Sequence, residues 1–488
     1  METFYVTTPI YYVTAKPHIG HAYTTIIADI LARWNRLLGK DVFFLTGTDE
    51  HGTKIEKAAK EAGKTPKEFV DEVANTYIET WKALNISFDK FIRTTDKEHE
   101  KAVSEFITRI WDNKDIYKGI YEGWYCVPDE TFITEMELND GKCPECGRDV
   151  QKVKEDAYFF ALSRYKDDLL RIFEEDQDFI KPPSRLKEIV NRLKGDIKDL
   201  DITRKSVTWG IPFELDKEQT VYVWFDALLN YISALGWPNG GKFIEFWPAD
   251  VHMVGKEITW FHAVIWPAML LAAGIDLPKT IVSHGWWTVE GKKMSKSIGN
   301  VVDTVELARK YSADALRYFL IKEKPIWEDG DFSESGLVSR INGELLADLG
   351  NLVARTLTLA EKFKGKIEGE EEIADNLDMS RIKELFEVYD VNGALNEIWT
   401  FVRSVNKYIN DTEPWRLGGA RLGAVLNNAL EALRIISILL YPFLPETSES
   451  MQNQLGVKLG SINECKFVTF DGKVKRGKNL FEKIEVKQ

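Results

Sequence analysis

The sequence predicts an α/β fold whose parallel sheet is interrupted by an insertion and followed by an all-helical domain. Three observations carry this. The first fifty or so residues read strand, helix, strand, a start that favours a parallel sheet with ligands at the carboxyl ends of its strands. Residues from about 117 to 205 break that rhythm and hold three of the four cysteines. From about residue 342 onward the apolar spacing is helical almost throughout.

The elements follow in order. Phe4 to Tyr12 is rich in aromatic and β-branched residues, as strands are. Pro17 suits a first helical position, and Tyr23, Ile26, Ile27, Ile30, Leu31 and Trp34 recur with helical period before Gly39. Asp41 to Leu45 reads as a second buried strand, with polar Thr46 to Thr53 after it. Thr220 to Phe225 and Thr280 to His284 are strand-like and return to the first fold. Asn351 to Phe363 and Leu422 to Leu440 are helices, and acidic Lys364 to Asn376 is a solvated linker.

Composition narrows the classes. In 488 residues, 44% hydrophobic content supports a sizeable core and excludes a disordered chain. A net charge of −13 argues against a generally basic nucleic-acid binder and leaves only local basic patches for RNA. Four cysteines in a chain of this length are no disulfide framework and point to a reducing compartment. The N-terminus lacks the pattern of a signal peptide. The apolar stretch from Ala263 to Ile275 contains Pro267 and is too short to span a bilayer. A soluble cytoplasmic protein is expected.

Two motifs carry phosphate chemistry. Pro17-His18-Ile19-Gly20-His21 lies where the first strand meets its helix. A helix N-terminus attracts phosphate through its free N–H groups and dipole. Two histidines one turn apart can both donate to a phosphate oxygen, and Gly20 lets a ligand approach the backbone. Alone, the pair also suits surface positions or half a metal site. Gly291-Lys292-Lys293-Met294-Ser295-Lys296-Ser297 places three lysines in five residues, a charge cluster able to close over a triphosphate. Alone, it also reads as a solvated basic loop.

Together, complete and in this order, the two motifs resemble the ATP-binding elements of class I aminoacyl-tRNA synthetases. The resemblance sharpens to the methionyl-tRNA synthetase family through Thr8 to Tyr12, Thr46 to Gly52, Val223 to Ala227, Gly255-Lys256-Glu257-Ile258 with His262, and His284-Gly285-Trp286. It covers nearly the whole chain. It implies a Rossmann-type catalytic domain in two halves (1–116 and 206–290) around a connective insertion (117–205). A lysine-loop and stem-contact region (291–341) and a helical anticodon-binding domain (342–488) follow. Because the sequence ends at Gln488, the C-terminal tRNA-binding module of some members is not expected, and a monomer is.

The resemblance also implies site residues. ATP with Mg²⁺ would be bound by His18, Gly20, His21, Gly255, Glu257, His284, Lys293 and Lys296, with His18, His21, Lys293 and Lys296 catalytic. Gly291 and Ser295 would let the lysine loop close as a lid. L-Methionine would be held by Asp49 at its ammonium group and by Ile10, Tyr12, Trp224, Ala227, Leu228, Tyr231, Ile258 and His262 around its side chain. Some members carry proline in place of Leu228. Aromatic and aliphatic walls suit a polarizable thioether, and Tyr231 or His262 is a candidate donor to its sulfur. The partner implied is tRNA(Met), whose anticodon would meet Asn351, Arg355 and Trp415. Asn351 and Arg355 share a helix face, and an exposed Trp is a stacking platform.

Cys126, Asp129, Cys143 and Cys146 form two knuckles in which Asp129 departs from the four-cysteine pattern. Three sulfurs and one carboxylate can ligate structural zinc. The alternative is a decayed knuckle, since Asp129-Glu130-Thr131 resembles members that keep the fold without metal.

Rival readings are a class I synthetase for leucine, isoleucine, valine or cysteine, a non-enzymatic RNA-binding paralogue, and a nucleotidyltransferase acting on a small acid. The first three amino acids usually go with a much larger editing insertion.

Overall fold

The computed structural model describes residues 1–128, 131–133, 138–143, 146–205, 207–289, 291–293 and 302–485. Among these, six strands form a parallel sheet in the order 90–93, 41–49, 3–12, 251–255, 281–284, 180–181. Strand β1 (Thr3–Tyr12) opens the chain, helix α1 (Ile19–Leu37) crosses over, and strand β2 (Asp41–Asp49) lies beside β1. The other neighbour of β1 is Val251–Gly255. The strand order therefore reverses at β1, and the crevice beyond the carboxyl ends of β1 and Val251–Gly255 is where such sheets bind ligands.

Several sequence expectations shift. Pro17 lies before the helix rather than at its first position. His18 is extended (φ −122°, ψ 177°) and its ring caps the helix, so the helix begins after it. β2 runs on to Asp49 because Thr46 and Thr48 are buried. Only Thr220–Val221 is strand, and Phe225 belongs to the short helix Val223–Ala227. A short apolar run does not distinguish the two states. β1 also carries Pro9, which cannot donate within a ladder. The register with β2 slips between Thr7 and Ile10, and this irregularity accommodates Pro9.

The insertion is an antiparallel sheet in the order 131–133, 116–126, 151–160, 200–201. Within the predicted limits of 117–205, however, Ile180–Lys181 pairs with Ile281 and Val282 and extends the parallel sheet. Two residues carry too little pattern to be read as a strand.

The C-terminal part is helical, with Asn351–Lys362, Met379–Glu387, Val391–Thr412, Gly419–Leu440 and Pro445–Leu455 as its principal helices. Gly419–Leu440 is long and apolar enough to cross a membrane, but most of it is buried in this bundle. The bundle is tied to α1. Trp34 stacks on Phe386 at 3.8 Å. Buried Asp29 accepts from Arg33 at 2.8 Å and pairs with fully buried Arg317 at 2.7 Å. Arg317 also donates to the carbonyls of Pro442 and Phe443, just past the end of Gly419–Leu440.

Candidate active site

A cavity of about 390 Å³ opens at the switch point of the sheet. One wall comes from the end of β1 and the start of α1, another from Val223–Ala227 and the residues after it, and a third from the ends of Val251–Gly255 and Ile281–His284. The candidates Ile10, Tyr12, His18, Gly20, His21, Asp49, Trp224, Ala227, Leu228, Tyr231, Gly255, Glu257, Ile258, His262 and His284 all line it.

His18 and His21 stack at the helix start, ring centroids 3.8 Å apart. Gly20 N–H donates to His18 Nδ1 at 3.1 Å, and His18 N–H donates to His21 Nδ1 at 3.2 Å. With Nδ1 accepting in each ring, the ring proton sits on Nε2. Burial and the neighbouring His18 hold the His21 pKa well below the usual histidine range. The helix start therefore offers a neutral imidazole N–H.

Behind the third wall, His284 Nδ1 is 2.9 Å from the Gly285 carbonyl and so donates to it. Its Nε2 then accepts from Thr24 of α1 at 2.7 Å, joining this wall to the histidine helix. A Cβ on Gly255 would stand 2.6 Å from the Glu257 carboxylate, so glycine is what lets that carboxylate fold over the strand end.

Asp49 is buried at the end of β2, opposite Tyr12 of β1. On the far side, Tyr231 and His262 are each 1% exposed. His262 Nδ1 lies 2.9 Å from the Ile258 carbonyl and donates to it. Burial lowers the His262 pKa to about 4, so the ring is neutral and Nε2, 2.6 Å from Tyr231 Oη, accepts the tyrosine proton. Both protons are thus committed, the tyrosine's to His262 and the histidine's to the Ile258 carbonyl. The expectation that one of them donates to a thioether therefore requires this pair to open.

The lysine loop is described only at its start. Trp287–Val289 and Lys292–Lys293 form an antiparallel ladder, with Gly291 at the turn (φ +68°) and its N–H donating to Asp331. Lys293 is thus placed on a strand by its backbone. Ser295 and Lys296 lie outside the described residues, as does Asp129.

The three knuckle cysteines converge. Their sulfurs all lie within 4.8 Å of one another, with Cys126 and Cys146 at 3.5 Å. A tetrahedral zinc thiolate site has sulfur–sulfur edges of about 3.8 Å, so the donor set fits. At the RNA-facing end, Trp415 is 52% exposed on a single turn after Val391–Thr412. Arg355 donates to Asn406 at 2.8 Å and Asn410 at 3.1 Å near the end of the same helix. Asn351 is exposed at the start of its helix.

Sequence reasoning missed Lys54, Tyr23, Thr24, Asn230 and Trp287, which also line the cavity. It also missed the buried polar side chains behind it. The chain has seven histidines, at 18, 21, 51, 99, 252, 262 and 284, and all pack at or behind this site. A histidine set confined to one domain was the signal available.

A parallel sheet with paired histidines capping its first crossover helix, and a lysine hairpin beyond the opposite strand, defines a class I aminoacyl-tRNA synthetase. Residues 4–156 and 148–357 match the family model described as tRNA synthetases class I (M). The methionine–tRNA ligase of Caldanaerobacter subterraneus subsp. tengcongensis is 50% identical, over all of this chain and 80% of its own. That of Thermotoga maritima is 47% identical, over 99% of this chain and 81% of its own. The structure of Mycobacterium tuberculosis methionyl-tRNA synthetase in complex with methionyl-adenylate superimposes with a TM-score of 0.94 at 39% identity, covering 99% of this chain and 100% of that one. The apo form of that enzyme gives 0.88. The chain belongs to the methionyl-tRNA synthetase family.

Proposed function

We propose that the protein activates L-methionine with ATP to methionyl-adenylate, releasing pyrophosphate, and transfers the methionyl group to the 3′ end of tRNA(Met). What carries this reading is one cavity lined by the capping histidines, by a buried carboxylate at a strand end and by an aromatic and aliphatic wall.

In this reading, Asp49 holds the substrate ammonium group and so directs the carboxylate at the α-phosphate. Ile10, Tyr12, Trp224, Ala227, Leu228, Tyr231, Ile258 and His262 surround the thioether side chain. The methionine carboxylate attacks phosphorus in line, and pyrophosphate leaves. The Nε2–H groups of His18 and His21 donate to the phosphate oxygens as charge builds there. Lys293 and Lys296 hold the β- and γ-phosphates. Gly20, Gly255, Glu257 and His284 receive the nucleoside. Mg²⁺ bound with ATP supplies charge neutralisation on the triphosphate. The protein's work is positioning and charge stabilisation.

Asn351, Arg355 and Trp415 read the anticodon, by polar contacts to base edges and by stacking. Cys126, Cys143 and Cys146, with Asp129, hold a structural zinc that fixes the insertion near the acceptor end. Clustered thiols of this kind suit a reducing cytoplasm. The five-part division expected from the sequence is kept, with Ile180–Lys181 assigned to the catalytic sheet.

Transfer of labelled methionine to a tRNA with a CAU anticodon, compared with the same tRNA carrying another anticodon, tests the whole reading. Charging of the first and about a hundredfold less of the second is expected. Equal charging, or none, contradicts it.

A further inference from the structure

The helix Val223–Ala227 carries a carboxylate in an apolar run, Asp226, which is 1% exposed. A carboxylate buried so deeply must be paired at both oxygens. Asp226 Oδ2 lies 2.7 Å from His51 Nδ1, and Oδ1 lies 2.7 Å from His99 Nε2. A carboxylate only accepts, so both imidazoles donate. His99 Nδ1 lies in turn 2.7 Å from Ser233 Oγ, which fixes the ring from behind. Burial favours the neutral acid, but His51 and His99 outweigh it and hold the Asp226 carboxyl below its ordinary range.

The connections run to two walls of the cavity. His51 stands two residues after Asp49, and its backbone carbonyl accepts from the Tyr12 hydroxyl at 2.9 Å. Asp49 and Tyr12 both line the cavity. Trp224, Ala227 and Leu228, which share the Asp226 helix or follow it directly, line the facing wall. Asp226 links the two through charged hydrogen bonds to His51 and His99.

We propose that Asp226 is a positioning residue for amino-acid selection: by clamping His51 and His99 it sets the distance between the Asp49 wall and the Trp224–Leu228 wall. This rests on reading the cavity as the methionine site. Apolar pockets discriminate only about 10- to 200-fold per methylene, so a change of wall spacing falls first on selectivity. ATP is assigned to the start of α1 and to the ends of Val251–Gly255 and Ile281–His284, whereas Asp226 bonds His51 and His99, so the ATP KM is expected to hold.

The test is pyrophosphate exchange by the wild type, Asp226→Asn and His99→Gln, with methionine and with norleucine, its analogue bearing a methylene in place of sulfur. Asp226→Asn keeps the size but cannot accept from both rings. It is expected to raise the methionine KM about tenfold or more and to narrow the preference over norleucine, with the ATP KM within about twofold. His99→Gln, which keeps the His51 bond, shifts both in the same direction by less. Unchanged methionine KM and preference in a folded Asp226→Asn protein overturns the proposal. So does an equal loss for ATP and methionine, the mark of a merely structural role. If Asp226→Asn does not fold, His51→Gln and His99→Gln are judged by the same criteria. Absence of methionine-dependent exchange in the wild type overturns the reading of the site itself, and is distinguished by being seen before any variant.

Discussion

Replacing Asp29 by asparagine tests how the histidine helix is held. Asp29 Oδ1 accepts from Ser87 N at 2.7 Å and Ser87 Oγ at 2.6 Å. Its Oδ2 takes Arg33 at 2.8 Å and Arg317 at 2.7 Å. Burial alone would raise its pKa, yet Arg33 and Arg317 bring it down to about 2. Against an ordinary value of 3.8, that favours the charged form by about 2 kcal/mol. Asparagine forfeits this and leaves Arg317, fully buried, without its countercharge. Breaking one side of such a pair costs about 3–5 kcal/mol. The sign with pH follows from the lowered pKa: the contribution is complete above the unfolded value near 3.8 and lost as pH falls through about 2. At pH 7, urea unfolding followed by tryptophan fluorescence is expected to show a loss of about 3–5 kcal/mol for Asp29→Asn. Because Arg317 also binds the carbonyls beyond Gly419–Leu440, the helical domain should release earlier in the transition. A loss below about 1 kcal/mol would refute the reasoning, since that is the scale of an exposed pair.

Other consequences are direct. Asp49→Ala should weaken methionine binding at least about thirtyfold by calorimetry, since a charged hydrogen bond is lost inside a closed site; retained affinity would remove Asp49 from the ammonium role. Trp415→Ala should spare pyrophosphate exchange and weaken aminoacylation by about 1–3 kcal/mol, the worth of one stacked base; unchanged aminoacylation would count against the anticodon assignment. Burial lowers the pKa of His21, His252, His262 and His284. The unfolded chain therefore takes up protons that the folded one refuses, and stability should fall as pH drops from 6.5 toward 4. His262 alone contributes about 2 kcal/mol between pH 7 and 5, and equal urea stability at those two pH values would contradict this. Metal-replete protein should carry about one zinc per chain by elemental analysis; less than about half would favour the decayed knuckle.

Much of this molecule is legible in its sequence because local signals and the global fold agree. β1 announces itself by composition and α1 by period, and the histidine motif sits where the sheet topology brings ligands. The sequence is silent where meaning arises from long-range pairing. Ile180–Lys181 is too short to show a period and becomes a strand only by meeting Ile281 and Val282. His99 looks like one more polar residue in Lys97-Glu98-His99-Glu100, yet it is buried and binds Asp226 from a helix 127 residues away. The Tyr231–His262 pair was visible as two candidate donors, but only the geometry shows that each has already spent its proton.

The central claim is that this cavity activates methionine. Exchange of labelled pyrophosphate into ATP, without tRNA, tests it most directly when methionine is run beside leucine, isoleucine, valine and cysteine. Exchange dependent on methionine alone is predicted. Exchange supported by one of the others would keep the chemistry of the stacked histidines but contradict the pocket, and exchange with none would contradict both.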